Sequence, residues 1–405
     1  MKVVGVIVEY NPFHHGHAYH IKKAKEMTGA DIVIAAMSGD FLQRGEPALV
    51  SKWTRAEMAL LGGIDLVFEL PYAFAVQKAD TFANGAVSLL AAAGCDTICF
   101  GSESGTIDDF YQTYHFLNKN AALYNEGIQK YIELGNSYPK SLSLAFQELS
   151  PGDNLLDLTK PNNILGFQYV RASKEQQHKI NMLTIERKNA QYHDDHFASP
   201  TIASATSIRK AIFSENASET SIQSYIPKHT HSLLQQYKKQ YGAFHRWEMY
   251  WNFLKFRLLQ TNKEELRKIY EVEEGIENRI LQLSVKCESF THFMQELKTK
   301  RYTWTRLQRT LTHILTHSTK SEMSMNEEKV SYLRLLGMSE NGRTYLNQYK
   351  KKCPIPIVTK RATCNHTQIE IDSRASRIYA LGLPEKNRQL AIDLEFSQKP
   401  IYIIK

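Results

Sequence analysis

Long apolar runs are missing from this 405-residue chain, and none approaches the length needed to cross a bilayer. Cysteine is scarce. The five thiols (Cys95, Cys99, Cys287, Cys353, Cys364) are scattered, odd in number and form no CxxC pair. That argues against a disulfide framework or structural zinc and for reduced thiols in a cytoplasmic setting. The first residues run directly into a β-branched stretch, without the basic region, apolar core and cleavage site of a signal peptide. Low-complexity tracts are absent too. What remains is ordinary globular composition, 42% hydrophobic and 23% charged, long enough for two or three domains.

Charge is unevenly placed. Residues 1–110 carry 8 Lys/Arg against 13 Asp/Glu, whereas the remainder carries 42 against 29. A basic back half behind an acidic front suits contact with a polyanion, or is simply a solvated surface.

The front of the chain has a βα rhythm. Gly29-Ala30-Asp31, Gly63-Ile64-Asp65 and Gly94-Cys95-Asp96 each stop a helix and precede a short apolar run: Ile32–Met37, Leu66–Leu70 and Thr97–Phe100. With Val3–Val8 as the first strand and helices over His17–Met27, Lys52–Leu61 and Thr81–Ala93, this spacing predicts a parallel sheet covered on both faces. A further strand is expected at Ile180–Ile185, and the runs Val330–Leu336, Ile355–Val358 and Pro400–Ile404 read as parts of a final α/β piece. A helix is expected over Ile164–Ala172, and another is opened by Ser204 to Ser207. Residues 231–317 read as amphipathic helices rich in aromatics, Lys and Arg.

The chemistry is concentrated after the first strand, where Glu9-Tyr10-Asn11-Pro12-Phe13-His14-His15-Gly16-His17 breaks the strand and opens a helix. Imidazole N–H groups at a helix N-terminus on the sheet edge suit a phosphate, and Gly16 permits close backbone approach. The alternatives are a turn satisfied by its own histidines, or a metal pair His14/His17, although no third ligand stands at a familiar spacing.

The Asn11–His17 segment resembles the (H/T)xGH motif of the nucleotidyltransferase superfamily, which includes pantetheine-phosphate and nicotinate-nucleotide adenylyltransferases and class I aminoacyl-tRNA synthetases. Ser204-Ala205-Thr206-Ser207-Ile208-Arg209 resembles its second motif, ISSTxxR, with Ala205 in place of the second serine. Together with Met37–Pro47, Lys160–Gly166 and Lys300–Arg306, these segments make the whole chain similar to the bacterial tRNA(Met) cytidine acetate ligase family.

The resemblance implies an HxGH-type Rossmann-like fold: a doubly wound α/β domain over 1–225, binding ATP, and a basic, mainly helical tRNA-binding region over 226–405 with a small α/β end. It also implies activation of acetate by ATP with Mg2+ and transfer of acetyl to N4 of the wobble cytidine of elongator tRNA(Met). Neither DNA nor a membrane is an expected partner. His14 and His17 would be catalytic. The ATP site would comprise Ile7, Val8, Glu9, Tyr10, Asn11, Pro12, Phe13, His14, His15, Gly16, His17, His20, Gly101, Asn162, Arg187, Ser207 and Arg209.

Several of these residues have plainer readings: a surface ion pair for Arg187, a turn for Gly101, helix capping for Asn162 or Asn163. Asp40 either positions acetate, magnesium or the cytosine amine, or caps a helix or pairs with Arg44. Glu9 is equally open, whereas Lys22 and Lys23 read as a solvated face. His193-Asp194-Asp195-His196 looks metal-like but lies in a polar loop. The segment Lys298–Arg309 offers RNA-binding candidates in Lys298, Lys300, Arg301, Arg306 and Arg309, with Tyr302 and Trp304 either stacking on bases or packing a core. Two other functions share these features: an adenylyltransferase acting on a small phosphorylated metabolite, and a non-catalytic RNA-binding factor.

Overall fold

The computed structural model describes residues 1–150, 152, 155–187, 203–214, 222–324, 329–364 and 366–404. Among them, eight strands form one sheet: β1 (Val3–Val8), β2 (Ile32–Ser38), β3 (Leu66–Leu70), β4 (Thr97–Ser102), β5 (Asn181–Glu186), β6 (Leu333–Ser339), β7 (Ile357–Val358) and β8 (Ile401–Ile403). Their order in space is β5-β4-β1-β2-β3-β6-β7, with β8 also paired to β6. The first five strands are parallel, as the βα rhythm predicts. Side chains of β2 alternate between two cores, Ile32, Ile34 and Ala36 into one and Val33, Ala35 and Met37 into the other. Helices therefore cover both faces.

The Gly-X-Asp joins have a physical explanation. Gly29, Gly63 and Gly94 all have left-handed φ, at 61°, 111° and 83°, which ends a helix at no steric cost. Each aspartate then accepts a backbone N–H on a neighbouring strand segment: Asp31 from Lys2 at 2.9 Å, Asp65 from Val33 at 3.0 Å and Asp96 from Val3 at 2.8 Å. One motif thus stops the helix and sets the strand beside its partner.

The helices that position the site are α1 (His15–Thr28), α2 (Lys52–Leu61), α3 (Pro161–Glu175), α4 (Ala205–Phe213), α5 (Trp304–Thr316), α6 (Thr367–Ala380) and α7 (Glu385–Ser397). The span expected for α2 is observed. Helix α1 begins two residues before the expected His17, because His14 serves as its N-cap.

The expected boundary at 225/226 is not a break in the sheet. Strands β6, β7 and β8 all lie beyond it, and β6 joins β3 in antiparallel register. A buried ionic cluster fastens this junction. Lys52 Nζ, fully buried on α2, lies 2.9 Å from Glu69 Oε1 of β3, 3.0 Å from Glu395 Oε2 of α7 and 2.9 Å from Ser376 Oγ of α6. Arg334 of β6 reaches Glu69 at 3.3 Å and Glu395 at 2.5 Å. Two cations shared between the same two carboxylates satisfy charges that none could bury alone.

Candidate active site

The chain turns from β1 to β2 on one side of the sheet and returns to β4 on the other, so the crevice beyond the ends of β1 and β4 is a topological switch point. The His14–His17 loop stands on one side of this crevice. Gly101, near the end of β4, and Glu103, just after it, stand on the other. Tyr10 has a left-handed φ of 49°, a conformation a bulky side chain adopts only where its surroundings enforce it. Here Asn11 anchors the loop: its Oδ1 accepts from Leu49 N at 2.7 Å, and its carbonyl accepts from Arg209 at 2.9 Å.

His14 and His17 form a reciprocal cap on α1. Gly16 N donates to His14 Nδ1 at 3.1 Å, and His14 N donates to His17 Nδ1 at 3.2 Å, with the two rings stacked at 3.6 Å. A Cβ on Gly16 would lie 2.8 Å from the His14 ring, so only glycine lets that imidazole fold back. Because both Nδ1 atoms accept, each neutral ring carries its proton on Nε2. Burial, reinforced by the Arg187 charge, pushes His14 down to about 3 and His20 down to about 4, and it lowers His17 well below the usual imidazole range. The three rings are therefore neutral at pH 7, and His14 and His17 are fixed as Nε2–H donors. His15 differs, since its ring is exposed while its backbone N–H holds Tyr225 O at 3.1 Å.

Several polar groups here lack a protein partner among the described residues. Tyr10 Oη, Asn11 Nδ2 and His20 Nε2 are buried and unbonded, as is His229 Nε2 on a ring packed against Phe13. Buried orphans on the loop, on α1 and against Phe13 are what a polar ligand or water would satisfy.

The second motif docks on the first. Ser204 caps α4 by accepting from Ser207 N at 3.0 Å, and Arg209 reaches Asn11 O and Glu46 Oε2, each at 2.9 Å. Ser207 is buried, and its hydroxyl donates to Ser204 O at 2.9 Å. Arg187 follows β5, with its backbone N–H on Ser102 O at 2.9 Å. A Cβ on Gly101 would lie 3.2 Å from Arg187 Cγ, so the glycine leaves room for that arginine to cross the strand end.

Residues 1–392 match the family described as HIGH Nucleotidyl Transferase. A tRNA(Met) cytidine acetate ligase of Geobacillus sp. (strain WCH70) is 49% identical over 99% of this chain and 100% of that protein, and one of Bacillus mycoides (strain KBAB4) is 48% identical over 94% and 98%. The chain belongs to the tRNA(Met) cytidine acetate ligase family. Two crystal structures of Thermotoga maritima TmcAL superpose over the full length of both chains. The apo form has a TM-score of 0.92 at 31% identity, and the form bound with alpha-thio ATP has 0.90 at 30%.

The remaining candidates of this family member divide into three groups. Lys22 and Lys23 pair with Glu26 on the outer face of α1. Asp40 is buried and takes the capping role, accepting from Lys52 N, the first N–H of α2, at 2.9 Å and from Ser376 Oγ at 2.7 Å. The Glu9 carboxylate accepts from Gln43 N at 2.9 Å, and burial raises its pKa.

In the basic segment, Arg309 departs from expectation as an RNA contact: it is buried and held by Glu271 at 2.9 Å. Arg301 and Arg306 share Glu274 at 3.0 and 3.4 Å, Lys298 donates to the carbonyl of Thr299, and Lys300 is exposed. Tyr302 is a core residue whose hydroxyl donates to Glu274 O at 3.1 Å, whereas Trp304 is exposed. His193–His196 lie outside the described residues, among which no group of three or more His, Cys, Asp or Glu is arranged to hold a metal. No helix among them is long and apolar enough to cross a membrane.

Two residues that tie the loops of the crevice together escaped the sequence reading. Arg55 of α2 is fully buried and donates to Glu9 O at 2.7 Å, Ser38 O at 3.0 Å, Val50 O at 3.2 Å and the carbonyl of Gly39, tying the loops after β1 and β2 together. Its spacing from Lys52, Ala56 and Ala59 was the available signal, for all four share the buried face of α2. The other, Glu103, meets Asn162.

Proposed function

We propose that this chain activates acetate with ATP, releasing pyrophosphate, and passes the acetyl group to N4 of the wobble cytidine of elongator tRNA(Met), in the cytoplasm. The observation carrying this reading is the fixed pair of Nε2–H donors at the switch-point crevice with Arg209 docked beside it. The names of relatives about half identical over nearly the whole chain supply the substrates.

In the first step an acetate oxygen bonds to the α-phosphorus, and the bond to the pyrophosphate oxygen breaks, that oxygen leaving with the electron pair. His14 and His17 donate to phosphoryl oxygens on which charge accumulates, and Arg187 and Arg209 offset the charge of the departing pyrophosphate. Neutral imidazoles suit this role, since they donate without competing as acids, and their hydrogen-bonded Nδ1 atoms prevent them from turning away. Mg2+ would arrive on the triphosphate, held by its oxygens, as is usual for this ion. In the second step the cytidine N4 attacks the acetyl carbonyl carbon, the bond to AMP breaks and N4 gives up one proton. Lys298, Lys300, Arg301 and Arg306 are the residues we assign to RNA phosphates, on the surface of the helical part of 226–405.

The test is direct. Incubated with ATP, labelled acetate and elongator tRNA(Met), the protein should place label on a cytidine. Transfer from acetyl-CoA but not from acetate plus ATP overturns the reading.

A further inference from the structure

Glu103 and Asn162 make a contact that none of the chemistry above uses. Glu103 follows β4 at the crevice, and Asn162 is the second residue of α3. The Glu103 carboxylate accepts from Asn162 Nδ2 at 2.7 Å, from Asn162 N at 3.3 Å and from Asn163 N at 2.8 Å. In return, Asn163 Oδ1 accepts from the backbone N–H groups of Glu103 and Ser104, both at 3.1 Å. The two loops are pinned to each other from both sides.

This contact sets the polarity of the Asn162 amide. An ionised carboxylate has no hydrogen to give, so the side-chain NH2 must face it and Oδ1 must face away. Asn162 is partly exposed, and its Oδ1 has no partner among the described residues. The carboxylate also occupies N–H groups at the start of α3, which removes that helix end as a place for phosphate. Phosphate donors lie instead on the α1 side, with His14, His17 and Arg187.

We propose that Glu103 is a positioning residue that locks Asn162 with its carbonyl outward, making this corner of the nucleotide site acceptor-only. It then takes a hydrogen-bond donor of the nucleoside, either the exocyclic amine of adenine or a ribose hydroxyl, and disfavours a carbonyl or a bare carbon in that place. The proposal rests on the reading of the crevice as the ATP site.

Acetate-dependent ATP–pyrophosphate exchange by the full-length protein tests it, comparing ATP with inosine triphosphate, 2′-deoxy-ATP and 3′-deoxy-ATP. Wild type should prefer ATP over at least one analogue by about 10-fold or more in kcat/KM, since a site built around a donor rejects its absence. Glu103→Gln can donate as well as accept, which frees the Asn162 amide to flip, and should shrink that ratio by about 10-fold. Glu103→Asp keeps the charge and should keep the ratio even where its KM rises, which separates polarity from simple support of the loop. Compression of the inosine ratio identifies the amine as the donor; compression of a deoxy ratio identifies a hydroxyl. Ratios unchanged in Glu103→Gln, with Asn162→Ala still raising KM for ATP, overturn the polarity lock but leave the ATP site standing. An Asn162→Ala variant with wild-type KM for ATP removes the nucleotide from this corner and overturns the proposal too, whereas no exchange by wild type removes the adenylation reading itself.

Discussion

Replacing Arg55 by lysine keeps the charge, nearly keeps the length, and should still damage both fold and activity. The guanidinium supplies four hydrogen bonds to carbonyls of Glu9, Ser38, Gly39 and Val50 from a fully buried position, and no carboxylate lies within ion-pair distance of it among the described residues. A lysine ammonium can reach two of these at best, because its donors diverge from one point instead of lying in a planar fork. Two orphaned carbonyls at about 1–3 kcal/mol each give a cost of about 2–6 kcal/mol. Burial also favours loss of the proton from lysine, which removes a further donor. Three of the four carbonyls, those of Glu9, Ser38 and Gly39, belong to the loop ends that carry Tyr10–His14 and Asp40, so at least one of these ends is loosened. Arg55→Lys should therefore lower the melting temperature by several degrees and reduce kcat for acetate-dependent pyrophosphate exchange at saturating ATP. Paired melting curves and exchange assays check this. A variant that melts within one degree of wild type and exchanges at the wild-type rate would show that the four bonds are replaceable, and the argument fails.

Three further outcomes are expected. His14, His245 and His313 are buried and held down to about 3, so the unfolded chain takes up protons near 6.5 before the folded chain does. Stability should then fall as pH drops below 6.5, by about 1.4 kcal/mol per pH unit per histidine and about 2 kcal/mol each by pH 5, levelling only near pH 3; urea midpoints independent of pH between 7 and 5 refute this. His17→Ala should lower exchange by about 10²–10³-fold through loss of a fixed donor while filter binding of tRNA stays at wild-type affinity; equal losses in both would make His17 a general structural residue. Gly45 has φ 76°, and a Cβ there would lie 2.4 Å from Arg309 N, so Gly45→Ala should destabilise by about 1–3 kcal/mol in a urea titration, and an unchanged midpoint would show that α5 yields freely.

Legibility in the sequence followed distance along the chain. The Gly-X-Asp joins and the span of α2 were readable because local chemistry encodes each, whereas the docking of Arg209 on Asn11 was not, since the two are 198 residues apart. The start of α1 was misplaced by two residues because histidine is not among the usual capping side chains, and here it caps through Nδ1. The apolar run that leads into β6 was placed in an α/β end, but its position in the main sheet was not foreseen: a strand carrying Arg334 looks unfit for the interior until Glu69 and Glu395 are seen beside it. Arg309 read as a phosphate contact because its partner Glu271 is 38 residues away. Glu103 and Asn162 are 59 residues apart, and the reason for their contact lies in the crevice they both border.

The cluster around Lys52 has a consequence for how the protein is made. A ribosome delivers Lys52 and Glu69 early, but Arg334, Ser376 and Glu395 come hundreds of residues later. Until then the edge of β3 has no β6 to cover it, and the ammonium group has lost half of its company. A nascent chain halted before Glu395 should be sticky and inactive although it already holds both nucleotide motifs, so translation must run almost to its end before adenylation begins.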